Sequence, residues 1–328
     1  MNLRHGRLRP ALVVAAVLLL AAGSLGYVLH ARHRERPAPQ AGASASFGLA
    51  EPGLYFRDAA TGRVARRPAS EGPSVRGGPS CDRFHAAGEH ALCLRKLPGV
   101  PARTDAHVLD RQLREIRRVT VPGIPNRARV SASGQLLSWT TFTTGDSYNT
   151  SAFSTRTSIL DLRTGYLVKS MEQIPLTLDG ARHHDSDVNY WGVSFAGDDN
   201  RFYATVSTRG RTHLVEGDLR NWSAKALREN AECPSLSPDG TRVAFKKKVS
   251  DDARAPWRLY VLDLATMREH PLAEPHSVDD QPAWLDGANV GYGLDGDIRS
   301  VPADGTGASR VLVRGGSSPA YVSAEPPR

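Results

Sequence analysis

The chain has 328 residues, 40% of them hydrophobic, which suffices for a sizeable core in one large domain or two ordinary ones. Its net charge of +8 does not point to nucleic acid. Residues 1–36 carry six Arg against Glu35, a balance of +5, and the remaining +3 forms no basic stripe. The 30 Gly and 22 Pro are spread along the chain, as suits a turn-rich all-β protein.

Residues 1–29 read as a signal peptide or signal anchor. Arg4, Arg7 and Arg9 precede Ala11–Leu29, a run of 19 residues without charge and just long enough to span a bilayer. Small-residue cleavage signals are indistinct near its end, which favours an anchor. Secretion after cleavage stays open as the alternative. The next stretch, HARHRERPAPQAGASAS (His30–Ser46), has a linker's composition, and residues 30–44 are assigned to it. The folded part is expected over 45–322, with a short tail at 323–328.

Cys81 and Cys93 flank a hairpin, CDRFHAAGEHALC. A three-residue turn at Ala86-Ala87-Gly88 would set them opposite each other, and a disulfide there implies an oxidising compartment. Cys233 has no partner and reads as a small buried residue. The sharpest hairpin lies at Glu232–Lys248. Ser237-Pro238-Asp239-Gly240 supplies its turn. Val243 and Phe245 then alternate with Arg242, Ala244 and Lys246, the pattern of a half-buried strand. Lys246-Lys247-Lys248 reads as a solvated strand end rather than a phosphate site.

Two units recur along the chain. One is an apolar strand ending in Asp, a short turn and another strand, with the aspartates at Asp58, Asp110, Asp161, Asp218, Asp263 and Asp304, 41 to 57 residues apart. The other is a hairpin at Cys81–Leu94, Ala128–Trp139, Tyr190–Val206, Glu232–Phe245 and Gln281–Tyr292. Six closing units and five opening ones leave one strand missing. Ser318–Val322 supplies it, with Ala45–Ala50 as the second strand of the same unit. Four strands per period of about 40–55 residues mean an all-β, six-bladed β-propeller whose ring the C-terminal strand closes. Blades one to five are placed at Cys81–Pro122, Asn126–Ile174, Val188–Asn230, Ala231–Ala273 and Asp279–Arg314. Blade six joins Ala45–Arg67 to Ser318–Val322.

PSLSPDGTRVAFKKK followed by WRLYVLDLATMREHPL resembles the WD40-like, or PD40, repeat of TolB-type six-bladed propellers. YWGVSFAGDDNRFYATV and SVDDQPAWL are similar to the same group, so membrane-anchored TolB-like proteins of actinobacteria resemble this chain over most of 45–322. Only the fourth copy keeps the full SPDG. The resemblance implies an envelope-exposed propeller that binds through protein contacts. It names no partner, and the chain shows no counterpart of TolB's separate N-terminal domain.

In a propeller, the loops leading into each blade's first strand and those between second and third strands share the face at the channel mouth. Two such loops stand out. Residues 181–191, leading into blade three, hold His183, His184, Asp185, Asp187 and Asn189. Residues 274–281, leading into blade five, hold His276, Asp279 and Asp280. These eight residues are the candidates for ligand or partner contact. The bland reading is that they cap backbone groups and tie blades together. An alternative places one divalent metal in the channel on His184, Asp187 and Asp280, activating water for a hydrolase or lactonase. The spacing matches no standard zinc or calcium loop. No G-x-S-x-G elbow is present, and Gly145-Asp146-Ser147 falls in a loop. No cofactor is expected. Trp139, Trp191, Trp257 and Trp284 fall on strands and read as packing between blades. The expectation is a non-enzymatic binding module for a protein, peptide or envelope polymer. It would be single-pass in the cell membrane, with the propeller outside the cytoplasm.

Overall fold

The structure, a computed structural model, describes residues 47–70, 72–143 and 154–323. Ala11–Leu29, the linker and Gly145-Asp146-Ser147 lie outside them. Among the described residues no helix is long and apolar enough to cross a membrane.

Six sheets are present among the described residues. Blade one is Arg83–Ala87, His90–Leu97, Arg103–Leu109 and Glu115–Pro122. Blade two is Ile124–Val130, Leu136–Thr143, Ser154–Asp161 and Leu167–Val168. Blade three runs from Asn189–Phe195 through Arg201–Thr208 and Arg211–Asp218 to Ser223–Glu229. Blade four is Glu232–Leu236, Arg242–Lys248, Trp257–Asp263 and Glu269–Pro271. Blade five is Ala283–Trp284, Asn289–Leu294, Asp297–Pro302 and Arg310–Val313. Blade six opens on the last strand, Gly316–Val322, and continues with Gly53–Asp58, Arg63–Pro68 and Val75–Ser80. The six first strands contact one another in sequence and close a ring.

The core lies between the blades. Six apolar clusters occupy the described residues, one at each interface between neighbours. Because side chains alternate across a strand, the second strand of every blade but the fifth feeds two clusters. Val243 and Phe245 pack against blade three, and Ala244 packs against blade five. Leu54 and Phe56 likewise face blade five while Tyr55 faces blade one. These strands are therefore buried on both faces, which corrects the half-buried reading of Arg242–Lys248. Lys246 is itself buried.

Blade six departs from expectation by one strand. Residues 47–50 form a turn, and it is Gly53–Asp58 that pairs with the last strand, Leu54 opposite Tyr321. The missing fourth strand is Val75–Ser80. Its content, VRGGPS, carries no alternation to announce it. The shift moves Asp58 to the turn between second and third strands, whereas the other five aspartates sit between third and fourth. All six still accept an N–H from their own turn: Thr61, Gln112, Arg163, Asn221, Thr266 and Thr306 respectively. Local turn chemistry is thus shared by all six, and blade register by only five.

Blade three has six strands rather than four. Leu176–Leu178 runs parallel to its outer strand, and Ala181–His183 adds to that. Much of the expected loop at 181–191 is therefore strand, with Asn189–Trp191 already in the first strand of the blade.

The hairpin of blade one turns on Gly88-Glu89, since Ala87 pairs with His90. That two-residue loop replaces the three-residue turn expected at Ala86-Ala87-Gly88. Gly88 has φ +56°, and a Cβ there would lie 2.8 Å from the Ser133 carbonyl, so glycine is required on both counts. Cys93 then faces Phe84, and Cys81 reaches it from just before the strand. The two form a disulfide with Cα atoms 5.4 Å apart. Cys81 follows the outer strand of blade six, so the bridge ties the ring-closing blade to its neighbour.

Candidate functional site

The eight residues singled out in the sequence fall into separate neighbourhoods. His183 Nε2 lies 2.8 Å from the Thr208 hydroxyl, which donates to Asp187 Oδ1 at 2.8 Å. Asp187 Oδ2 accepts the Arg209 N–H at 2.6 Å, and Asp185 Oδ2 accepts Arg209 Nε at 3.0 Å. Ligand atoms of His183, Asp185 and Asp187 come within 4.8 Å of one another. The Arg209 guanidinium, however, already supplies the positive charge beside Asp185. The knot fastens the end of the added hairpin to the turn between second and third strands of blade three. Asn189 joins it to blade two, accepting from Thr155 N–H and donating to the Asp187 carbonyl. His184 is exposed. Among the described residues, His184, Asp187 and Asp280 form no group within metal-binding reach.

The second loop is built around Glu274, which is fully buried. It accepts from the Tyr292 hydroxyl at 2.5 Å and from the His276 N–H at 3.0 Å, with His276 Nδ1 at 2.7 Å. Burial would raise its pKa, but these hydrogen bonds outweigh that and hold it at about 2. Asp279 pairs with Lys246, whose ammonium also lies 3.6 Å from Glu232 and 4.1 Å above the Trp257 ring. Asp280 accepts the Gln281 and Gly293 N–H groups at 2.9 and 3.0 Å. Gln281 ties three blades, its amide donating to the carbonyls of Val193 and Pro234.

Asp280 and Gln281 lead to the central channel, where the sequence points to Asp280 and to none of the residues that face it. The cavity there is about 30 Å³ and is lined by residues of four blades, chiefly Arg83, His85, Asn126, Arg127, Arg129 and Asp280. First strands all run from the mouth inward, and their alternate residues face the channel. This places Arg83 and Arg127 nearer the mouth than His85 and Arg129. Arg129 crosses the ring from blade two to blade five, donating to the Pro282 carbonyl at 3.1 Å. With Gln281 it forms a floor. Arg129 is 8% exposed, and burial lowers its pKa to about 10 against the opposing effect of Asp280. Burial, and then the Arg129 charge, push His85 well below its ordinary value, so its ring is neutral at pH 7. The legible signal was the spacing itself: RFH and NRAR place charged or polar residues two apart on the first strands of adjacent blades.

The fold matches a solved propeller. TolB from Acinetobacter baumannii superposes with a TM-score of 0.57 at 15% identity, over 82% of this chain and 66% of that one. The chain thus has the six-bladed, TolB-like propeller fold. A candidate TolB from Agrobacterium tumefaciens gives 0.48 at 13% identity, covering 82% and 91% of the two chains. A chain of a nidogen/laminin complex gives 0.48 at 11%, covering 83% and 98%. Only the first exceeds 0.5, and at such identity the likeness bears on fold alone. No protein-family model and no curated protein matches the sequence.

Proposed function

We propose that this is a non-catalytic binding propeller of the cell envelope. The Ala11–Leu29 segment would anchor it in the membrane with the propeller outside the cytoplasm, and a protein, peptide or envelope polymer would dock at the channel mouth. The observation that carries the reading is the convergence of side chains from four blades on the channel below that mouth, with Nε of Arg127 and of Arg129 left without a partner. The Cys81–Cys93 disulfide supports an oxidising compartment. The hydrolase alternative has less support, because its three ligands are not assembled and the trio that does come together is held by Thr208 and Arg209.

The test is affinity capture with the detergent-solubilised full chain, run beside Arg83→Glu at the mouth and Tyr166→Ser, an exposed residue in a cleft on the opposite face. The reading expects a component held by the parent chain and by Tyr166→Ser and lost with Arg83→Glu. An identical capture by all three would sink it.

A further inference from the structure

Resting on the channel mouth as the docking site, we infer that the channel itself is an oxyanion site, in which Arg83, Arg127 and Arg129 hold a carboxylate or phosphate group. Three observations carry this. The first is charge. Three guanidiniums line the cavity against one carboxylate, Asp280. Both Asp280 oxygens also accept backbone N–H groups, and neighbouring Asp279, whose charge reaches Arg83 and Arg127, is shared with Lys246, so cations still outnumber carboxylates around the cavity. Uncompensated charge in a desolvated cavity is costly, and water can hydrate it without neutralising it.

The second is an excess of donors. Nε of Arg127 and Nε of Arg129 are buried without a partner. Arg127 otherwise donates only to Asn126, at 2.8 Å to the side-chain oxygen, with the Cys233 thiol beside it as a weak acceptor. His85 sharpens the imbalance. The Val130 N–H donates to His85 Nδ1 at 3.1 Å, so the neutral ring carries its hydrogen on Nε2. Nε2 faces Arg129 Nη1, also 3.1 Å away and also a donor. A neutral ring has one acceptor nitrogen for the Val130 N–H and Arg129 Nη1, so one of these two donors is left without an acceptor beside the cavity.

The third is space. A volume of about 30 Å³ above the floor of Arg129 and Gln281 has room for a small polar group. The ligand is therefore a compact group, presented either as a free ion or as the tip of a larger molecule entering from the mouth. Planar guanidiniums suit both carboxylate and phosphate oxygens.

The experiment is calorimetric titration of the detergent-solubilised full chain with sodium phosphate and, separately, with sodium acetate, ionic strength being held constant with chloride. Saturable binding of at least one is expected, and the stronger of the two assigns the group. Arg127→Gln should weaken that binding about tenfold or more, and Asp280→Asn, which removes the one opposing charge, should tighten it about tenfold, the factor carried by 1.4 kcal/mol. Should Arg127→Gln not fold, Asp280→Asn alone decides. No saturable binding of either ion, or binding unchanged by the substitutions, overturns the inference. That outcome leaves the docking reading standing, since capture at the mouth is measured without added ions.

Discussion

At the scale of single residues, the charged side chains divide by what burial costs them. Lys246 follows Phe245 on a strand that reads as ending in solvent, yet it is buried between Glu232, Asp279 and the Trp257 ring. Burial raises the Glu232 pKa, and the ammonium opposes that shift. Asp279 is 69% exposed at its side chain, so its share of the pair is largely screened. The energetic weight therefore rests on Lys246 and Glu232. Lys246→Met should leave Glu232 buried without a counter-charge and lower stability by roughly 3–5 kcal/mol. Combining it with Glu232→Gln should restore most of that, because the loss comes from the stranded charge. Urea unfolding midpoints check both, and additive losses in the double variant would refute the explanation. A run of three lysines gives no sign that its first member turns inward. That depends on Glu232, opposite it across the hairpin, and on the Trp257 ring.

At the scale of elements, hairpins and turns were the most legible parts, because they are decided within a few residues. Ser131, Ala196, Ser237 and Leu285 each donate an N–H across the first turn of their blade to Leu136, Arg201, Arg242 and Asn289. The sequences of these turns share little, and Asp199 takes the positive φ that Gly134 and Gly240 hold elsewhere. The inner strands were less legible, since their bulges answer to a neighbouring blade. Gly192 and Cys233 both sit at register breaks with positive φ, and a Cβ on Gly192 would lie 2.8 Å from Cys233 Cα. The disulfide belongs to this scale as well. It closes a 12-residue separation and joins two blades where the chain passes from one to the next. Thiol titration of the unfolded, unreduced chain should find one free thiol, Cys233, and finding three would remove the bridge. Replacing both Cys81 and Cys93 by Ser should cost about 3 kcal/mol by the chain-entropy estimate for a loop of this length.

At the scale of the whole molecule, the count of six blades was readable because repeats recur with their own turn chemistry, and the closing strand because one unit lacked a partner. The phase of blade six was not readable. Either 45–50 as its second strand or 75–80 as its fourth could have completed the blade, and neither alternates. Pairing with the last strand decides it, and that contact spans the full ring. Gly53–Asp58 takes Gly316–Val322 as its inner neighbour. Removing that strand strips Ala320 and Val322 from the interior and leaves Gly53–Asp58 as an open edge at the channel. A ring whose blades bury their faces only against each other should not tolerate the gap. A chain ending at residue 314 should therefore lose cooperative unfolding and associate, as followed by circular dichroism and sedimentation. A synthetic peptide of residues 315–323 should restore cooperativity when added in excess, since ring closure is non-covalent at this seam. Cooperative unfolding of the truncated chain at an unchanged midpoint would mean that the last strand does not close the ring.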